Sequence, residues 1–346
     1  MTWELVDRCA LAFTGKTGWK AQCDAHRMIG SAIFNLQGVG AHVWWERPDG
    51  YREHARDLGT DAGWRVTEHV IETPQGSLSQ ITHSAGIPGD PLVAKRVQSF
   101  VKSPADWEIV ADWLDAADDG RFDVAVSHEA RDYVGDDGLV NFWLGDSLYT
   151  LANMRDSAQF VLDLMDRPDE MLELHARMHR RTALAVECFN ASAADVLVYD
   201  ICWGSTSLIS PALFDRFVLP EARWACQAIA ADKRIVFFTT GKTRAVLPQI
   251  VEAGPHGVQH LDVLGDCDLA EVKQTFGDRL CLMGNYNPVV LAHGSVREAQ
   301  GEARRCLRAA MAGGGYAITT SDEVPGDAKL ENMQAVVKLV EEEGRY

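Results

Sequence analysis

The chain has 346 residues, 47% of them apolar and 24% charged, with a formal net charge of −17. That apolar content supplies a large core, while the acidic surface repels nucleic-acid phosphates and anionic lipid and sets both aside as partners. No stretch approaches the run of about 18 apolar residues a membrane span needs, the N-terminus lacks the order of a signal peptide, and the eight cysteines form no C-x-x-C pair, so a cytoplasmic protein with reduced thiols is expected.

Residues 1–65 read as a helical extension. It opens on an amphipathic helix with Trp3, Leu5, Val6, Cys9 and Leu11 among its apolar positions. Residues 66–83 read as a β-hairpin turning at Pro74, Gln75 and Gly76, an excursion from the main fold. Val124–Ser127 and Phe142–Leu144 are short strand candidates, and 158–190 reads as two helices divided at Arg167–Pro168. From Ala194 onward the pattern is regular. Apolar runs at 194–200, 234–240, 257–262, 279–284 and 315–320 alternate with helical segments at 211–230, 244–253, 268–276, 295–312 and 328–343.

Short strands without polar alternation are buried on both faces, as parallel strands require. No G-x-G-x-x-G follows any of them, which favours a barrel over a doubly wound sheet. The predicted fold is therefore α/β: one (β/α)8 TIM barrel spanning residues 1–346, with the N-terminal helical and β-hairpin excursion. Gly15-Lys16-Thr17 and Gly241-Lys242-Thr243 imitate the end of a phosphate loop. Each lacks the first glycine, with Ala10 and Val236 in its place, so neither is a nucleotide site.

In such a barrel the polar residues just after each strand converge at one mouth. Asp200 ends an apolar run beside Trp203, and burial there would raise its pKa and suit general-acid work; capping the loop before Ser210 is the competing role. His260 and Asp262, two apart, would share a strand face as an acid–base pair or metal edge, unless Asp262 merely begins the next loop. Asp322 and Glu323 offer carboxylates at the last strand end, or simply cap the following helix. Asp200, His260, Asp322 and Glu323 are the catalytic candidates. Trp203, Thr240, Asn285, Tyr286 and Asn287 are the candidates for substrate binding.

Five stretches carry a family resemblance: TPQGSLSQ at 73–80, VKSPADWEIV at 101–110, LISPALFDRFVLPEAR at 208–223, GNYNP at 284–288 and the segment from Gly313 to the end. In this order they resemble the uroporphyrinogen-decarboxylase superfamily, which holds a haem-pathway decarboxylase and a branch of corrinoid- or coenzyme-linked methyltransferases. The decarboxylase's arginine-rich N-terminal segment has no counterpart here; Arg27, Arg47 and Arg52 stand in unrelated surroundings. The hairpin and the VKSPADWE stretch look more like the methyltransferase branch. Thiol-methylating members of that branch bind zinc through His-x-Cys and a later Cys, and this chain has Phe238, Thr240 and the Ser321–Asp322 region at those places, so no metal is expected there.

The resemblance implies a methyltransferase. It would pass a methyl group from a small O-, N- or S-methyl compound to a corrinoid (cobalamin) on a partner protein, with a carboxylate protonating the departing heteroatom. A decarboxylase is the alternative reading, and a non-catalytic ligand-binding member the third. The oligomeric state stays open, a homodimer among the expectations.

Overall fold

The computed structural model describes residues 1–40, 42–86 and 92–345. The chain divides into two compact units, one comprising Met1–His42, Asp123–Gly145 and Val186–Tyr346, the other Val43–Phe122 and Asp146–Ala185. In chain order the strands are β1 (His42–Trp44), β2 (Arg52–Asp61), β3 (Trp64–Thr73), β4 (Gly76–Ser84), β5 (Ala94–Gln98), β6 (Arg121–Asp123), β7 (Asn141–Gly145), β8 (Val196–Asp200), β9 (Arg234–Phe238), β10 (Gly257–His260), β11 (Cys281–Gly284) and β12 (Tyr316–Ala317).

The first unit is built on β7 to β12, six parallel strands paired in sequence order. Two extended segments without regular strand geometry complete the ring. Residues 33–36 lie against β7, where Ile33 exchanges backbone hydrogen bonds with Asp137 and Leu139. The Asn141 side chain holds both backbone groups of Leu36 there. On the other side, Thr2 N–H donates to Ile318 O past β12, and Ala32 N–H donates to Met1 O. These links run from the β12 side of the six-stranded sheet round to the β7 side, the course that the ring of a TIM barrel takes.

All five residues of β8 are buried. Its alternate side chains split two ways: Val196 and Val198 pack inside the ring with Phe34, Val236 and Met283, while Tyr199 faces outward and donates to Glu221 Oε1 at 2.5 Å. Local signals start the helices behind the strands. Ser210 caps the helix Pro211–Phe217 with proline at its first position, and Ser295 with Glu298 forms a capping box on Val296–Ala310.

The second unit carries the antiparallel sheet β2-β3-β4-β5. The hairpin is β3 and β4, joined across Thr73 and Gly76. A buried pair anchors this unit's helices: Asp163 Oδ2 accepts from Arg155 Nε at 2.9 Å and from Trp107 Nε1 at 2.8 Å.

Three expectations are corrected. Residues 1–65 are not wholly helical, because β2 lies within them; its residues are almost all exposed and polar, so pairing with β3, not hydrophobic periodicity, makes it a strand. The N-terminal helix begins only at Asp7, with residues before it extended along the barrel. Val124–Ser127 is no strand: the helix Ala125–Val134 starts there, and the Ser127 hydroxyl turns back to Val124 O. The helices Ser157–Asp166 and Pro168–Ala191 divide where expected. No helix among the described residues is long and apolar enough to cross a membrane.

Candidate active site

The carboxyl ends of β8 and β10, the segment after β12 and the N-terminal segment bring one set of ionisable groups together within the barrel unit. His260, fully buried, ends β10. Its Nε2 lies 2.8 Å from Glu4 Oε2, and Glu4 is itself only 8% exposed. Burial works against the charged imidazole, yet the Glu4 carboxylate, with smaller contributions from Asp322 and Asp200, carries the His260 pKa above its ordinary value. The Gln259 amide nitrogen lies 3.0 Å from the same ring nitrogen. Without a proton on Nε2 the ring accepts from that amide, and with one there it donates toward Glu4, so the position suits a proton carrier.

Backbone geometry sets this arrangement. His260 and Leu261 have φ of 80° and 44°, both left-handed, at a cost on the order of 1–3 kcal/mol each. Three interactions hold the corner. Asn285 Nδ2 donates to Leu261 O at 3.0 Å, and Arg305 Nη2 donates to Asn285 Oδ1 at 2.9 Å and to its carbonyl at 2.8 Å. Gly284 must be glycine, since a Cβ there would meet His260 O at 2.4 Å.

Asp200 is 3% exposed at the end of β8. Loss of hydration pushes its pKa up to about 6, against the opposing effects of a hydrogen bond from Cys202 N–H at 2.8 Å and of His260. Asp322 and Glu323 stand exposed at the rim. Partial loss of water around their carboxyls raises both pKa values; the Glu4 carboxylate pushes each the same way, and His260 opposes it.

The four catalytic candidates therefore lie near enough for their charges to move one another's proton affinities. The others are placed differently. Asp262 does not share a face with His260, because the left-handed corner breaks the strand period. Its carboxylate instead accepts from Gly241 N–H and Leu264 N–H, closing the next loop. Trp203 is buried in the single turn Cys202–Gly204, and Thr240 follows β9 two residues beyond Phe238, whose ring lies 4.2 Å from that of His260. The Tyr286 hydroxyl donates to Ala299 O, with its ring edge-on to Trp3 at 5.4 Å. Asn287 Oδ1 accepts from Val289 N–H. Asn285, as described, supports the His260 corner. Among the described residues no three His, Cys, Asp or Glu side chains are placed to hold a metal ion.

A family model described as uroporphyrinogen decarboxylase (URO-D) matches residues 145–343, more than half of the sequence. The chain belongs to the uroporphyrinogen decarboxylase family. The family region contains Asp200, His260, Asn285, Asp322 and Glu323, but not Glu4. Curated relatives are uroporphyrinogen decarboxylases. That of Methylococcus capsulatus is 28% identical over 187 residues, covering 52% of this chain and 50% of that protein. That of Pseudomonas fluorescens is 26% identical over 231 residues, covering 63% and 62%. The chain thus spans about half the length of the first of these relatives. Among solved structures, a methyltransferase from Methanosarcina mazei superposes with a TM-score of 0.59 at 19% identity over 75% of each chain, a likeness of fold.

Glu4 and Arg305 were not among the candidates drawn from the sequence. The available signal for Glu4 was a carboxylate set among Trp3, Leu5 and Val6, since such a group is seldom buried without a partner. Arg305 lies on a long amphipathic helix, where nothing local separates it from the surface arginines beside it.

Proposed function

We propose that this family member is a methyltransferase, moving a methyl group from a small O-, N- or S-methylated compound to a corrinoid borne by a partner protein. One observation carries the reading: Asp200 is a buried carboxyl at a strand end, with its pKa at about 6 and beside a protonatable His260. Roughly a tenth of such a carboxyl is protonated at pH 7, enough to serve as a general acid. A bound corrinoid would supply the nucleophile that takes the methyl carbon, which leaves the barrel's own residues to orient the donor and deliver a proton. As the carbon–heteroatom bond breaks, its electron pair stays on the heteroatom, Asp200 donates its proton there, and His260 with Glu4 restores that proton from solvent.

Charge supports the same reading. Glu4, Asp200, Asp322 and Glu323 outnumber the positive charges acting on them, His260 and Arg8. A polycarboxylate would meet like charge here, whereas a neutral or cationic methyl donor would not. The fold likeness to a methyltransferase agrees with this choice. The curated relatives favour a second reading, a carboxy-lyase.

The test is methyl transfer to free cob(I)alamin, followed by absorbance across a panel of methoxylated and N- and S-methylated compounds. Transfer from one donor class is expected, and Asp200→Asn should lower its rate by about 10²–10⁴-fold with binding nearly intact. Carbon dioxide release from a carboxylated substrate, with no methyl transfer, would overturn the proposal in favour of the carboxy-lyase.

A further inference from the structure

The opposite mouth of the barrel, at the amino ends of the strands, holds an open cavity of about 500 Å³. Barrel interiors of this kind are filled by layers of branched side chains, and protein interiors seldom leave voids much larger than a water molecule. Here small residues stand among the larger ones that line the cavity, Phe34, Val196, Val236 and Met283. Cys281 and Ala317 both line the cavity and Ala317 is in register with Met283, so larger side chains at these two positions would narrow the space. The walls are mostly apolar, which makes the cavity a poor site for ordered water and a good one for hydrocarbon.

Arg234 and His256 both border the cavity. The Arg234 guanidinium donates to the carbonyls of Lys233 and Ala231, and among the described residues no carboxylate pairs with it. His256 Nδ1 accepts from Ile235 N–H at 3.2 Å, which leaves the proton of the neutral ring on Nε2 as a donor. In a chain of net charge −17, an apolar cavity rimmed by a guanidinium with no carboxylate partner among the described residues and by an imidazole N–H selects for a negative head on an apolar body.

We propose that this mouth binds an amphipathic monocarboxylate, its alkyl or aryl body inside the strand ring and its carboxylate on Arg234 and His256. The site lies at the end of the barrel opposite Asp200 and His260, so it does not depend on the reaction catalysed there.

Decanoate, with decanol as its uncharged counterpart, is the probe. Decanoate should raise the melting temperature of the full chain and slow N-ethylmaleimide labelling of Cys281, read by peptide mass spectrometry, while leaving Cys267 unaffected. Arg234→Gln should weaken decanoate by about tenfold and leave decanol unchanged. Cys281→Phe should remove binding of both. Ala317→Leu fills the same space more gently and should do likewise if the first variant folds poorly. Equal binding of decanol and decanoate by the unaltered protein, unprotected Cys281 at saturating decanoate, or full affinity in both filled variants would each overturn the proposal.

Discussion

Glu4 Oε2 lies 2.8 Å from His260 Nε2, joining the extended N-terminal segment to the left-handed corner that ends β10. Both groups are buried, so the interaction is poorly screened, and its effect is to hold a proton on the imidazole against the cost of desolvation.

Glu4→Gln should therefore lower the His260 pKa, read by NMR titration of the imidazole. The sign for stability follows. A histidine whose folded pKa lies above its ordinary 6.5 contributes stability that is complete below that value and is lost as pH rises through the folded pKa. The native protein should lose stability as pH rises from 6.5 through the folded His260 pKa, and the variant should not. An unchanged pKa in the variant would remove Glu4 from the site.

Asp200 acts at lower pH. Its folded pKa of about 6 exceeds the ordinary 3.8, so between these values the folded state binds more protons than the unfolded one and stability falls as pH rises. The full effect is up to about 3 kcal/mol. Asp200→Asn keeps an acceptor for Cys202 N–H and should raise the melting temperature at pH 7, with the gain vanishing below pH about 4. Thermal melts across that range check it; a variant less stable at pH 7 would contradict it.

Asn285 and Arg305 are positioning residues for the His260 corner. Asn285→Ala leaves Leu261 O without its donor and Arg305 without its side-chain acceptor, at an expected cost of about 1–3 kcal/mol, and should shift the His260 titration. Asn285→Asp keeps the acceptor for Arg305 but cannot donate to Leu261 O while ionised, so it should fall between the two. A purely structural role would cost stability and leave the titration in place.

In the second unit, Asp163→Ala strands the Arg155 guanidinium, which is only 3% exposed. The expected destabilisation is about 3–5 kcal/mol in denaturant unfolding. A loss below about 1 kcal/mol would mean that water or another acceptor replaces the carboxylate.

The amino-acid sequence by itself determined the regular half of the barrel. From β8 to β12, apolar runs too short for helices alternate with capped amphipathic segments, and these are local signals readable residue by residue. The same logic put Asp200 and His260 at strand ends, because a polar residue closing a buried run has few other places to be. Tertiary structure alone decided the rest. The segments at 1–4 and 33–36 close the ring through a few long-range hydrogen bonds and carry no strand period. Two consecutive left-handed residues, neither of them glycine, overrode the alternation that paired Asp262 with His260. Glu4 enters the site because closure of the ring brings the chain's first residues alongside its last strand. Asn285, a strand-end amide on the page, became a support for the imidazole when Arg305 arrived from the helix that follows. Each of these depends on partners far apart in the chain, and local periodicity carries no record of them.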